Sequence, residues 1–220
     1  EMSTEDNHIV LKFNAFMKDI NGTHVEKDGK WLFTRKGYMT VIRILDEVKL
    51  ESGDELLVED GSSLMRGTPI LKQKGKEVAA AVSGKVLVKD NVLYLVSKEQ
   101  KIEIANGSTI YVKPGDFVKK GVAIGEFEQY NEPIIAESDG YVHFDDVIIG
   151  STVEERRDPD SDAVERVITD LHLDVKQPRI LITDEAGNEM GTYYLPAGAL
   201  ILVEDKAPVS AGTTLAKMPK

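Results

Sequence analysis

The sequence predicts an all-β fold built from tandem, barrel-like modules, and three observations carry that prediction. One hairpin pattern occurs three times within the 220 residues. Elsewhere apolar residues mostly alternate with polar ones, which is the period of a half-buried strand. Glycine-marked turns such as Asp28-Gly29 and Ala186-Gly187-Asn188 separate many of these runs.

Taken in order, His8–Lys18 comes first; some of its apolar residues are spaced by three and four, as in a short helix. Trp31-Leu32-Phe33-Thr34 and Thr40-Val41-Ile42-Arg43-Ile44 read as strands. The first hairpin copy, GDELLVEDGSSLMRGTPILKQ, starts at Gly53. Leu93-Tyr94-Leu95-Val96 is a further strand, and the second copy, GSTIYVKPGDFVKKGVAIGEF, starts at Gly107. Asp162–Leu173 again allows a short helix, but Leu171-x-Leu173-x-Val175 favours a strand. After Arg179-Ile180-Leu181-Ile182-Thr183 comes the third copy, GALILVEDKAPVSAGTTLAKM, from Gly198.

The copies align residue by residue. The turn falls at Gly61, Gly115 and Lys206, preceded by Asp60, Pro114 and Asp205, and a glycine follows at Gly67, Gly121 and Gly212. Asp-Gly and Pro-Gly favour turns because glycine takes positive φ without a Cβ clash. A second element, apolar strand then Ser with Gly then alternating strand, occurs at Val78–Val88 and Pro133–Phe144. Three modules follow: 1–74 with a poorly matched N-terminal segment, 75–128, and 129–220. The turn spacing rises from 54 to 91 residues in the last interval, so the third module is expected to carry an inserted acidic loop at 154–165.

Charge bounds the function. Acidic residues number 38 against 27 basic, a net −11, and no segment is a basic stripe. Free-standing binding to nucleic acid is not expected, although a local patch such as Arg35, Lys36 and Arg43 can reach a phosphate. The absence of cysteine removes disulfides, thiolate metal sites and thiol nucleophiles, and fits a reducing cytoplasm. No apolar run approaches the length of a membrane span, and the acidic start (Glu1, Glu5, Asp6) has no export leader. A soluble cytoplasmic protein is expected.

The residues carry no recognisable catalytic pattern. Glu204-Asp205-Lys206-Ala207 looks like the modified hairpin of a lipoyl or biotinyl carrier, which is the alternative function. However, Lys206 fills the slot of Gly61 and Gly115, so an ordinary turn lysine explains it better. Asp158-Pro159-Asp160-Ser161-Asp162 alternates carboxylates like a calcium loop, but Ala163 and Thr169 stand where glycine and glutamate belong. His8, His24, His143 and His172 lack metal-ligand spacing, and His143 has Asp145 on its strand face without a third ligand. Gly29-Lys30, Gly75-Lys76 and Gly84-Lys85 lack the rest of a phosphate loop. Trp31 and Phe33 share a strand face and are expected in a core rather than under bases. No catalytic, cofactor or metal site is expected.

The C-terminal run Tyr193-Tyr194-Leu195-Pro196-Ala197-Gly198-Ala199, then Leu202-Val203-Glu204-Asp205 and Ala211–Pro219, resembles the bacterial RNA polymerase β′ subunit next to an insert in its trigger loop. Asn131–Glu137, Gly140–Asp146, Gly150–Val153 and Pro178–Asn188 resemble that insert too. The resemblance is strongest over 131–219, fair over 29–128 and weak before residue 29, and it departs at Lys206, where glycine is usual. It implies sandwich-barrel hybrid modules and a place in the loop that closes over the incoming nucleotide. It also implies a non-catalytic part of a nucleotidyltransferase, modulating elongation, pausing and transcript cleavage. The implied partners are other β and β′ surfaces and transcription factors near the nucleotide channel. A generic protein-interaction module is the blander alternative.

Overall fold

The computed structural model describes residues 7–169 and 175–220. All regular structure among them is β, in twenty-three strands and five sheets without an α-helix. His8–Lys18 resolves as strands His8–Val10 and Ala15–Asn21. The second is held as a strand because its backbone pairs with Gly37–Lys49, Ala15 opposite Arg43 and Phe16 opposite Ile42. The expected strand Leu171-x-Leu173 lies outside the described residues.

The chain forms two compact units. The first comprises 1–21, 38–103 and 112–124, the second 22–37, 104–111 and 125–220. In the first unit, two 13-residue strands, Gly37–Lys49 and Val92–Ile104, are neighbours in a six-stranded sheet. Their length follows from long alternation with β-branched residues and no interior proline. At their far end Ile70, Leu71, Ala80, Val86, Leu93 and Leu95 form a closed apolar cluster flanked by Val48, Leu50 and Val58. The second unit has its own cluster, including Val142, Val153, Ile180, Ile182, Leu195 and Leu215. Burying each large aliphatic side chain contributes about 1.5–3 kcal/mol, so these clusters are the main stabilising force.

The triplicate hairpin is repeated down to its hydrogen bonds. Its opening glycines, Gly53, Gly107 and Gly198, have φ of 88°, 86° and 90°. The turn residues Gly61, Gly115 and Lys206 have φ of 88°, 93° and 68°. Their N–H groups donate to Val86 O at 2.8 Å, Met17 O at 2.6 Å and Val142 O at 2.7 Å. The later glycines Gly67, Gly121 and Gly212 donate to Ala80 O, Leu11 O and Ala136 O at 2.8, 3.0 and 2.8 Å. A side chain closes each copy the same way: Ser83, Asn14 and Asp139 accept from the N–H of Arg66, Lys120 and Ala211.

These bonds show a third copy of the second element, Ile9–Met17, that its sequence hides: Ala15 stands where Gly84 and Gly140 stand. They also pair elements out of chain order. The hairpin at Gly61 bonds to Val78–Val88, which follows it; the hairpin at Gly115 bonds back to 11–17. The modules 1–74 and 75–128 follow order along the chain, whereas the bonding nests one copy inside another, carried on the two long strands. The 74/75 division falls in the Lys74-Gly75 turn between paired strands Pro69–Gln73 and Lys76–Ala79. The 154–165 stretch is a hairpin rather than a loop, with strands Val153–Arg157 and Val164–Ile168. Opposite charges face each other across it, Glu155 with Arg166 and Arg156 with Glu165, and favour the pairing.

Candidate functional site

Several of the residues singled out from sequence take structural roles. Lys206 occupies the left-handed turn slot of its copy. Asp158 spends both carboxylate oxygens within its own turn, accepting from Asp160 N–H at 2.9 Å and Ser161 Oγ at 3.0 Å. Those bonds hold its carboxyl below the usual range, the Asp160 N–H contributing most. His24 stacks on Trp31 with centroids 4.1 Å apart, its Nδ1 3.0 Å from Gly22 O. Phe33 is fully buried. His143 is exposed, while Asp145 pairs with Arg179 at 2.5 Å. His172 lies outside the described residues. Among the described residues no three His, Asp or Glu side chains group as metal ligands.

Arg43 belongs to the first compact unit, Arg35 and Lys36 to the second. Arg35 is committed to Glu137, with Nε to Oε1 at 2.8 Å and Nη2 to Oε2 at 3.2 Å. Thr34 Oγ1 adds a third bond to the same carboxylate at 3.2 Å. From behind, the Glu137 N–H donates to the Tyr193 phenol oxygen at 2.8 Å. Burial pushes the Tyr193 phenol up, so it stays protonated and neutral at physiological pH.

Glu137 is the centre of a joint inside the second unit. It fastens the segment after the hairpin His24–Phe33 to the third copy. Two further contacts do likewise. Asn106 Nδ2 donates to Pro133 O at 3.0 Å, and Gly107 lies so close that a Cβ there would sit 2.5 Å from Pro133 Cγ. Gly212 lets Lys27, Val25 and Leu32 approach its bare Cα side. A partly exposed fork of this kind contributes only about 1 kcal/mol, so the close glycine packing gives the joint its rigidity. Pro133 and Glu137 lie in runs that the sequence marked, but nothing local showed that they fasten Asn106, 27 residues before Pro133, and Arg35, 102 residues before Glu137.

The clefts follow the fold. A groove of about 490 Å³ lies beside Gly61, Lys85, Leu87 and Val96. A groove of about 480 Å³ lies beside Lys206, Tyr141, His143 and Thr183, which are the equivalent positions of the third copy. A cavity that recurs with the hairpin is a product of the hairpin. Another cleft of about 490 Å³ mixes Lys27, Lys30 and Lys217 with Glu126 and Glu128, so it favours neither sign of ligand.

No family model matches the chain. The chain is 42% identical over 223 residues to DNA-directed RNA polymerase subunit β′ of Treponema denticola, covering 99% of the chain and 16% of that protein. The same subunit of Treponema pallidum is 40% identical over 221 residues, with 99% and 16% covered. That of Borrelia turicatae is 37% identical over 221 residues, with 100% and 16% covered. The chain thus spans about one-sixth of the length of these relatives, and its similarity includes the segment before residue 29.

Proposed function

We propose that this chain, a homologue of one segment of the DNA-directed RNA polymerase β′ subunit, is a non-catalytic insert carried in the trigger loop of such a subunit. The observation that carries the reading is the size of the match: almost the whole chain aligns with 16% of each relative. Nucleotidyl transfer then belongs to the remainder of the enzyme, and this segment acts mechanically. A body tied to a loop with open and closed states biases that loop only if it contacts its surroundings differently in the two states. A difference of about 1.4 kcal/mol shifts the equilibrium tenfold, enough to change pausing and transcript cleavage. The surroundings are other β and β′ surfaces, with factors near the nucleotide channel as further partners, in the cytoplasm. The joint at Glu137 supports this role, because a lever transmits a bias only if it does not bend.

The test replaces residues 7–220 by a short linker in the polymerase. Cutting nearer residue 29 would strand Ile9, Leu11 and Met17, which are buried. Altered pause lifetimes and cleavage rates, with nucleotide addition retained, are expected. Unchanged pausing and cleavage would overturn the reading.

A further inference from the structure

The three hairpin copies give an internal control, since equivalent positions share a backbone and differ only in side chains. The residues before the second glycine are Met65-Arg66, Lys119-Lys120 and Ser210-Ala211. In the second copy this turn is tied to a strand that carries another cation. Asn14 is the hub: its Oδ1 accepts from Lys120 N–H at 2.8 Å, and its backbone oxygen accepts from Ile44 N–H at 2.8 Å. The strand carrying Ile44 also carries Arg43, whose Cα stands opposite Ala15. Arg43 lies over the Phe13 ring with its guanidinium carbon 5.0 Å from the centroid. Asn14 therefore ties the strand of Arg43 and the turn of Lys119 and Lys120, two distant segments, together within the first compact unit. Among the described residues, Arg43, Lys119 and Lys120 make no ion pair, and all three are exposed.

We infer that Arg43, Lys119 and Lys120 form a contact surface for the phosphodiester backbone of a nucleic acid. Arg43 sits over the Phe13 ring, and a guanidinium on a ring face keeps N–H groups with which to meet phosphate oxygens. The other cations are flexible point charges, which match closely spaced phosphates without reading bases. The equivalent turn of the third copy has Asp139 as its closing side chain and no cation, so the hairpin itself does not require the charges. The contact is weak and non-specific, because the chain carries −11 overall. It gains effect where the chain is held near nucleic acid, and to that extent it rests on the polymerase reading.

The test uses the 220-residue chain alone, so its outcome does not depend on that reading. The ¹⁵N-labelled chain is titrated with a 20-base-pair duplex of arbitrary sequence in low salt. Amide shifts centred on Arg43, Lys119 and Lys120 are expected. They should fade as salt rises, with a log–log slope near −3 for about three phosphate contacts. They should vanish in R43E/K119E/K120E, whose exposed substitutions leave the spectrum dispersed. No shifts at millimolar duplex, or shifts centred elsewhere, would overturn the inference. Larger shifts at these residues with a charge-matched polyglutamate peptide would also overturn it, assigning the surface to an acidic protein. Should the variant misfold, the location and salt slope in the native chain still decide.

Discussion

The first compact unit carries 15 basic against 16 acidic residues, the second 12 against 22. Nearly all of the net −11 therefore belongs to one unit, −10 against −1. Counting along the chain conceals this, because both units are discontinuous and each draws on the same half of the sequence. The units also differ in how equivalent glycines are used. Of the equivalent opening glycines, Gly53 in the first unit faces open space and Gly107 in the second is pressed against Pro133. Of the paired Gly84 and Gly140, the second unit's Gly140 is the closer-packed, although Gly198 in the second unit is open. One hairpin template serves near-neutral chemistry in one unit and a tightly packed acidic body in the other.

The sharpest way to break the comparison is at Gly140 and Gly84, which are equivalent. A Cβ at Gly140 would meet Thr183 O at 2.4 Å, a backbone atom that cannot rotate away, whereas at Gly84 the nearest atom, Val96 O, is at 3.0 Å. G140A is expected to cost roughly 3–4 kcal/mol and G84A about 1 kcal/mol by denaturant unfolding. Equal losses would mean that the units do not differ in packing here.

Gly107 and Gly53 separate packing from backbone strain. Their φ values are 86° and 88°, but only Gly107 has Pro133 over it. Both alanine variants suffer left-handed strain of about 1–2 kcal/mol. G107A should lose roughly 1–3 kcal/mol more through overpacking and loosen the joint, read as faster amide exchange around Glu137. A smaller loss comes from Y193F, which removes the acceptor for the half-buried Glu137 N–H and should destabilise by about 1–2 kcal/mol.

The smallest effect is at Lys206. Its φ of 68° places a branched-free side chain where the other copies have glycine. K206G relieves left-handed strain but adds chain entropy in the unfolded state, for a net gain of about 0.5 kcal/mol in thermal unfolding. A loss would show that the lysine side chain makes a stabilising contact.

Much was legible in the sequence, and for local reasons. The all-β class followed from alternation, and all nine glycine or lysine turn positions of the three hairpins take positive φ as their register requires. The candidate chemistry at Asp158, Lys206, His24 and His143 was weighed from the sequence, and the structure gives these residues turns, a stack and a surface position. What escaped was anything decided by partners distant in sequence. Ile9–Met17 has Asn14-Ala15 in place of Ser-Gly or Asp-Gly, so its membership of the repeat lacked a local mark. Its hydrogen bonds to 115–121 reveal it.

By itself, then, the sequence determined the strand class and the triplicate hairpin, because alternation and positive-φ turns are properties of adjacent residues. Only the tertiary structure decided which hairpin closes on which strand, where the charge gathers, and that Glu137 and Pro133 are fastening points. Those depend on contacts between segments 27 (Asn106–Pro133) to 102 (Arg35–Glu137) residues apart, where the packing of the whole chain selects among locally equivalent strands.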